Sequence, residues 1–254
     1  MAFAGEQCDL ADMEQGAPES ASAESPILGW LVHLFTAAGA VLAFLALLAI
    51  QDRAWRLALL WLAAALAIDS VDGTLARRLR VKARVPGIDG DTLDLIVDYL
   101  NYVFVPTVLI WRAELVPAVL ALPLAALIQI SALYDFARTD LKTEDNYFRG
   151  FPALWNVVAF YLFVTQPGQL FGAIAIFAFV ALTFAPVHFV HPFRVRDYGT
   201  WLPALAIAWA AATVALLWPD WSAAARAAWL AASGVLAVVL LALGFRRTIR
   251  GLRA

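Results

Sequence analysis

Apolar runs, each near twenty residues long and separated by short polar connections, constrain this chain more than any other feature. A backbone crossing hydrocarbon must satisfy its own hydrogen bonds, and about 20 residues of helix span the apolar core of a bilayer. Eight such runs are read at about 28–50, 55–77, 92–111, 115–135, 152–166, 170–190, 201–218 and 226–245. The fifth is short, and either borrows its first turn from Phe148–Phe151 or lies tilted beside its neighbours. Composition agrees: 63% of the 254 residues are hydrophobic and 15% charged, against roughly 45–50% and about 25% in soluble domains. The expected fold is all-α, a polytopic membrane protein of about eight transmembrane helices in one domain, 26–246. An acidic tail over 1–25 is expected to be disordered. It holds six carboxylates and no Lys or Arg, so it lacks the basic start of a secretory signal. A basic cytoplasmic tail over 247–254 follows the domain.

The basic residues orient the helices. Fourteen of the eighteen Lys and Arg fall in the 77–84, 138–149 and 194–196 connections or at the C-terminal end, and four on the opposite side. That bias places both ends and the 77–91 connection in the cytoplasm. The single cysteine, Cys8, excludes an intrachain disulfide, and three scattered histidines give no zinc motif. A resident metal would therefore be held by carboxylates, which suit Mg²⁺ or Mn²⁺. No nucleic-acid partner is expected; membrane lipid is.

Ionisable residues inside membrane helices are costly and mark functional sites. The second run ends Asp69-Ser-Val-Asp72-Gly73-Thr-Leu-Ala76-Arg77, and the third begins Gly90-Asp91-Thr-Leu-Asp94-Leu-Ile-Val-Asp98. Spacings of three and four put each aspartate pair on one helix face. The connection is short enough to make the two helices antiparallel neighbours, so the four carboxylates can converge. Unaided they would repel one another. Two divalent ions held by Asp69, Asp72, Asp94 and Asp98 would relieve the repulsion and clamp the oxygens of an in-line phosphoryl displacement. Gly73 and Gly90 leave room for a ligand, Ala76 keeps the face low, and Arg77 is placed to meet a phosphate. Asp91 reads as a helix-start residue.

These residues resemble the signature of the CDP-alcohol phosphotransferase family, with every fixed position present. Twelve residues separate Arg77 from Gly90 where the family usually has about eight. A register starting at Gly87 would lose the last aspartate. The longer insert, with Tyr147-Phe148-x-Gly150-Phe151-Pro152, Trp155-Asn156 and His191-Pro192-x-Arg194-Val195, is most similar to the bacterial phosphatidylcholine synthase branch. The resemblance implies transfer of a phosphatidyl group from CDP-diacylglycerol to choline in a bacterial inner membrane, with the active site facing the cytoplasm and Mn²⁺ or Mg²⁺ as cofactor. It implies Asp98 as general base, the four aspartates as metal ligands, and Gly73, Ala76, Arg77 and Gly90 around the CDP group. A homodimer is compatible with it.

Choline, a quaternary ammonium, is recognised by aromatic faces. Tyr102, one turn beyond Asp98, is the first candidate wall, followed by Tyr99, Tyr134 and Trp155, with Asp135 as a candidate counter-charge. His188 and His191 read as structural or interfacial. Arg194 and Arg196 either anchor to anionic headgroups or meet the CDP-lipid. Two rivals stay open: the same chemistry on serine, glycerol phosphate or an inositol compound, with Arg138, Lys142 and Arg149 supplying a cationic pocket, and an ion-coupled transporter.

Overall fold

In the computed structural model, residues 25–251 are described; the acidic segment assigned to 1–25 lies, but for Ser25, outside them. Helix α1 spans Pro26–Gln51 and α2 spans Trp55–Arg78; a single turn, α3, spans Val81–Arg84. The third span is one continuous rod in three parts, α4 (Gly90–Asp98), a π-helical turn (Tyr99–Phe104) and α5 (Val105–Arg112). Then follow α6 (Ala118–Ala137), strand β1 (Phe148–Arg149), α7 (Trp155–Thr165), α8 (Gln169–Thr183), strand β2 (His188–Phe189), α9 (Trp201–Ala215) and α10 (Ala223–Gly251). Among the described residues, five of the apolar rods are long enough to cross a membrane: α1, α2, α4–α5, α6 and α10. Helices α7, α8 and α9 are apolar but hold 11, 15 and 15 residues. The all-α polytopic architecture of the sequence reading is present, with large apolar side chains such as Leu34, Phe44, Leu122, Phe177 and Val238 exposed on the outer surface, as in a body solvated by lipid.

Helix α1 organises the bundle. Pro26 opens it at a position where a missing N–H costs nothing. Its buried face carries Gly29, Val32, His33, Thr36, Gly39, Ala43 and Ala46, small or polar residues recurring every three or four positions. Such a stripe lets helices approach closely. At Gly39 an added Cβ would stand 2.6 Å from a Val97 methyl, and Asn101 donates to the Gly39 carbonyl at 3.0 Å. The two acid-bearing helices therefore meet chiefly by each packing on α1, a wedge that the reading of α2 and α4 as direct neighbours did not include.

Two boundaries differ from the sequence reading. The fifth run starts at Trp155 and borrows nothing from Phe148–Phe151, because Phe148 and Arg149 pair as a strand with Phe189 and His188. Gly150 takes a φ of +84°, and a side chain there would collide with the Thr183 carbonyl, so the chain turns where only glycine fits. The sixth run ends at Thr183 and not near 190: Pro186 cannot continue the helix, and the Val187–Val190 stretch carries strand β2. A short apolar run has no period that separates these states. At the other end, α10 continues to Gly251, so Arg246, Arg247 and Arg250 extend a helix.

The strand pair is tied down on all sides. Gly244 of α10 lets β2 approach so closely that a side chain there would meet the His188 carbonyl, and the His188 amide donates to Thr248 Oγ1 at 2.7 Å. Arg247 pairs with Asp145 at 2.6 Å, and Tyr147 donates to Asp197 at 3.0 Å. Tyr147, Val195 and Leu202 form a small second core beneath these loops. The connections before β1 and after β2 thus form one ordered cap over the end of the bundle at which α2 stops and α4 starts.

Candidate active site

The local sequence explains why α2 stops and α4 starts there. Arg77 and Arg78 lie in the last turn of α2, favourable to its dipole, and Arg80 breaks the helix with a φ of +48°. Asp89 caps α4, accepting from the amides of Asp91 and Thr92 at 3.1 and 3.3 Å. The Thr92 hydroxyl, donating to Asp89 Oδ2 at 2.9 Å, and then these amides hold the Asp89 carboxyl below its usual range. Asp91, in the first turn, pairs with Lys82 at 2.7 Å on the exposed rim. It is not one of the three aspartates whose carboxylate oxygens converge.

Asp69, Asp94 and Asp98 converge. Each offers a carboxylate oxygen, and the three oxygens lie within 4.8 Å of one another. Two neighbours hold the cluster from behind: Tyr102 donates its hydroxyl to Asp69 Oδ2 at 2.6 Å, and Thr36 of α1 donates to Asp72 Oδ2 at 2.8 Å. Asp72 is buried, 4% exposed, and stands outside the close triad with its Thr36 partner. A π-helical turn begins straight after Asp98, with the Val105 amide reaching the Leu100 carbonyl. Pro106, which has no N–H to give to Tyr102, accounts for the widened turn.

Hard oxygen donors this close fit a divalent ion of the Mg²⁺ or Mn²⁺ type. Separate helices bring the donors in already mounted, and hydroxyl partners of the Thr36 and Tyr102 kind are what orient ligating carboxylates.

The other expected residues are distributed as follows. Gly73 faces basic groups: a Cβ there would stand 3.3 Å from Arg77 Nη1 and 4.0 Å from Arg194 Nη2. Gly90 faces α1, where a Cβ would stand 3.1 Å from His33 Cε1. Ala76 is partly buried on α2, and Arg77 donates to Thr74 Oγ1 at 3.1 Å. Of the four aromatic candidates, Tyr102 alone touches the cluster, and it does so through its hydroxyl with its ring buried. Tyr99 donates to Gln129 and meets Phe136 edge-on at 5.8 Å. Tyr134 lies on the outer surface against Phe184, with Arg138 over its ring. Trp155 is fully buried beside Phe151 and Phe179. Among the described residues no ring contact joins any two of the four. Asp135 is buried, and its Oδ1 has no hydrogen-bond partner.

A basic cap faces the acids. Lys142 lies 5.0 Å over the Phe148 ring, and Phe148 stacks on His191 at 5.3 Å. Desolvation and then Arg194 push the Lys142 ammonium below its usual pKa, while Asp69, Asp98 and Asp94 pull the other way. Burial, followed by Lys142 and Arg194, drives His191 down to about 3, so it is neutral at pH 7. Arg138 and Arg149, in contrast, are both taken by Asp140 at 2.8 and 3.3 Å.

Residues 30–187 match the family model described as CDP-alcohol phosphatidyltransferase. The chain belongs to that family. Within it the chain is similar to proteins named phosphatidylcholine synthase. That of Pseudomonas aeruginosa is 43% identical over 180 residues, 71% of this chain and 76% of the relative. That of Bradyrhizobium diazoefficiens is 48% identical over 165 residues, 65% and 61% of the two chains. That of Borreliella burgdorferi is 37% identical over 171 residues, 67% and 73%. The family match takes in α1, whose Thr36 the aspartate motif does not contain. A polar residue in the small-residue stripe of α1 was the available signal for it. For Lys142 and Arg194 the only signal was membership of the basic connections, which topology alone explains.

Proposed function

We propose that this chain transfers the phosphatidyl group of CDP-diacylglycerol to choline, giving phosphatidylcholine and CMP, at the cytoplasmic face of a bacterial inner membrane. The observation that carries the reading is the convergence of Asp69, Asp94 and Asp98 at the meeting of two membrane helices under a basic cap. The family supports the reaction type, and the relatives' names support choline as acceptor.

Asp69, Asp72, Asp94 and Asp98 would hold Mn²⁺ or Mg²⁺, two ions in all. When bound, the ions neutralise donor phosphate charge and make the phosphorus more electrophilic. The protein's own part is to position and to move a proton. Asp98 takes the hydroxyl proton of choline as its oxygen attacks the phosphorus that carries diacylglycerol; the bond from that phosphorus to the CMP oxygen breaks, and CMP leaves with the electron pair. Tyr102 and Thr36 act as positioning residues through Asp69 and Asp72. Gly73, Ala76 and Gly90 keep the entry open for the CDP group, and Arg77 meets its phosphates. The acyl chains reach the site sideways from the bilayer.

A phosphorylated acceptor needs a cationic pocket of its own. Two of the three cations available for one, Arg138 and Arg149, are both engaged by Asp140, which favours the uncharged hydroxyl end of choline over glycerol phosphate. An ion-coupled carrier is disfavoured because its carboxylates usually lie near the membrane midplane, whereas these sit at helix ends under a polar cap.

Purified protein given CDP-diacylglycerol and, separately, labelled choline, serine, glycerol phosphate and inositol tests the reading. Label is expected in lipid with choline, at stoichiometry with released CMP. Labelled lipid from another acceptor and none from choline would refute the acceptor; no CMP with any of them would refute the reaction.

A further inference from the structure

Three cations reach the mouth of the carboxylate cluster from three parts of the chain. Arg77 comes from the end of α2, Arg194 from the turn after β2, and Lys142 from the connection before β1. Arg77 and Arg194 both border Gly73, with guanidinium nitrogens 3.3 and 4.0 Å from where a Cβ would stand. Lys142 is close enough to feel the charge of Arg194 and of Asp69, Asp94 and Asp98. Four other cations nearby have carboxylate partners: Arg138 and Arg149 share Asp140, Arg247 pairs with Asp145 and Lys82 with Asp91. Arg77, Arg194 and Lys142 have no such ion pair among the described residues. Like charges gathered at one point repel, and an anion between them removes the repulsion.

Arg194 is also firmly mounted. Its amide and that of Val195 both donate to the His191 carbonyl at 3.2 Å, and Val195 is buried with Tyr147 and Leu202. The side chain itself is exposed and directed at Gly73. A headgroup anchor would instead point outward along the membrane surface. A guanidinium offers paired N–H donors that match phosphate oxygens.

We propose that Arg194 is a donor-binding residue: it grips the diphosphate of the nucleotide-linked lipid from the cap side, opposite Arg77, with Lys142 as the third positive charge. The gap above Gly73 is the seat of that diphosphate, and the absence of a side chain at Gly73 keeps it open. This rests on the reading of the donor as a CDP-lipid.

The test uses the full chain in nanodiscs, with CDP and Mn²⁺ as the soluble probe in calorimetry and with steady-state kinetics alongside. Arg194→Gln is expected to weaken CDP binding and raise KM for CDP-diacylglycerol by about tenfold or more, the scale of a lost charge-assisted hydrogen bond, while KM for choline stays within about twofold of wild type on the same scale. Arg194→Lys recovers part of the loss, and Arg196→Gln, two residues along the chain and exposed, leaves both values unchanged. Assays in neutral and in anionic lipid separate the two sources of phosphate: a donor role gives the same defect in both. A defect confined to anionic lipid means a headgroup anchor and overturns the proposal. If wild type binds CDP and Arg194→Gln binds it equally well, the proposal falls while the reaction stands. If wild type binds no CDP, donor reading and proposal fall together. Arg194-dependent CDP binding without turnover of choline sinks the acceptor alone.

Discussion

Thr36 and Tyr102 each direct a hydroxyl at one carboxylate of the site, and each makes a prediction of its own. Tyr102→Phe removes the donor to Asp69 at 2.6 Å while keeping the ring. It is expected to raise the Mn²⁺ concentration for half-activity by about tenfold, as loss of a ligand's outer partner does, with little change in KM for choline. A large rise in choline KM alone would return Tyr102 to the role of cation wall. Thr36→Val should lower activity by a similar factor of about ten, through Asp72. Asp98→Asn should cost about a hundredfold or more, the usual contribution of a general base, in protein that still reaches the membrane folded. His191 gives a pH signature. It is neutral when folded, with its pKa pushed from 6.5 to about 3, and charges when unfolded below 6.5. The unfolded chain therefore binds the extra proton, and the stability present above 6.5 is lost as pH falls toward 3. The melting temperature of detergent-solubilised protein should drop over that interval, and His191→Gln should flatten the drop. His188 is lowered too, chiefly by burial, and acts with the same sign. At this scale the sequence was most informative where charge stood in apolar surroundings: four aspartates in membrane helices are conspicuous. A threonine in α1 and a tyrosine whose ring would serve equally well as packing are not.

The elements divide by how much local chemistry specifies them. Long apolar rods such as α1, α2 and α6 were legible because a bilayer leaves a 20-residue apolar run no alternative to helix. The spans of α7 and α8 were misjudged at one end each, since Phe148–Ala153 and Phe184–Val190 are mostly apolar yet shaped by the Gly150 turn, the Pro186 stop and a cross-strand pairing that is tertiary in origin. The π-helical turn was equally hidden, although Pro106 signals a disturbance. Gly150→Ala tests the element account: the positive φ and the Thr183 carbonyl together exclude a side chain, so the free energy of unfolding should fall by more than the about 1 kcal/mol that the same replacement adds at a tolerant position, and the melting temperature with it. The cap would loosen with it. Unchanged stability would mean that the strand pair does not depend on that turn.

In the whole molecule, function lies where two kinds of order meet. Membrane helices wedged on α1 bring acids to one end of the bundle, and a cap pinned to α10 brings bases over them. The helix order and the aspartate motif could be read from the chain, but the joining of loops more than forty residues apart could not. The central claim is that Asp69, Asp94 and Asp98, with Asp72, form a single seat for divalent ions beneath the donor. Electron paramagnetic resonance of Mn²⁺ titrated into the purified protein with CDP present tests it most directly. Two ions per chain should bind to wild type, coupled magnetically to each other, and Asp94→Asn should lose the coupled pair. Equal Mn²⁺ binding by wild type and by a variant with all four aspartates changed to asparagine would contradict it.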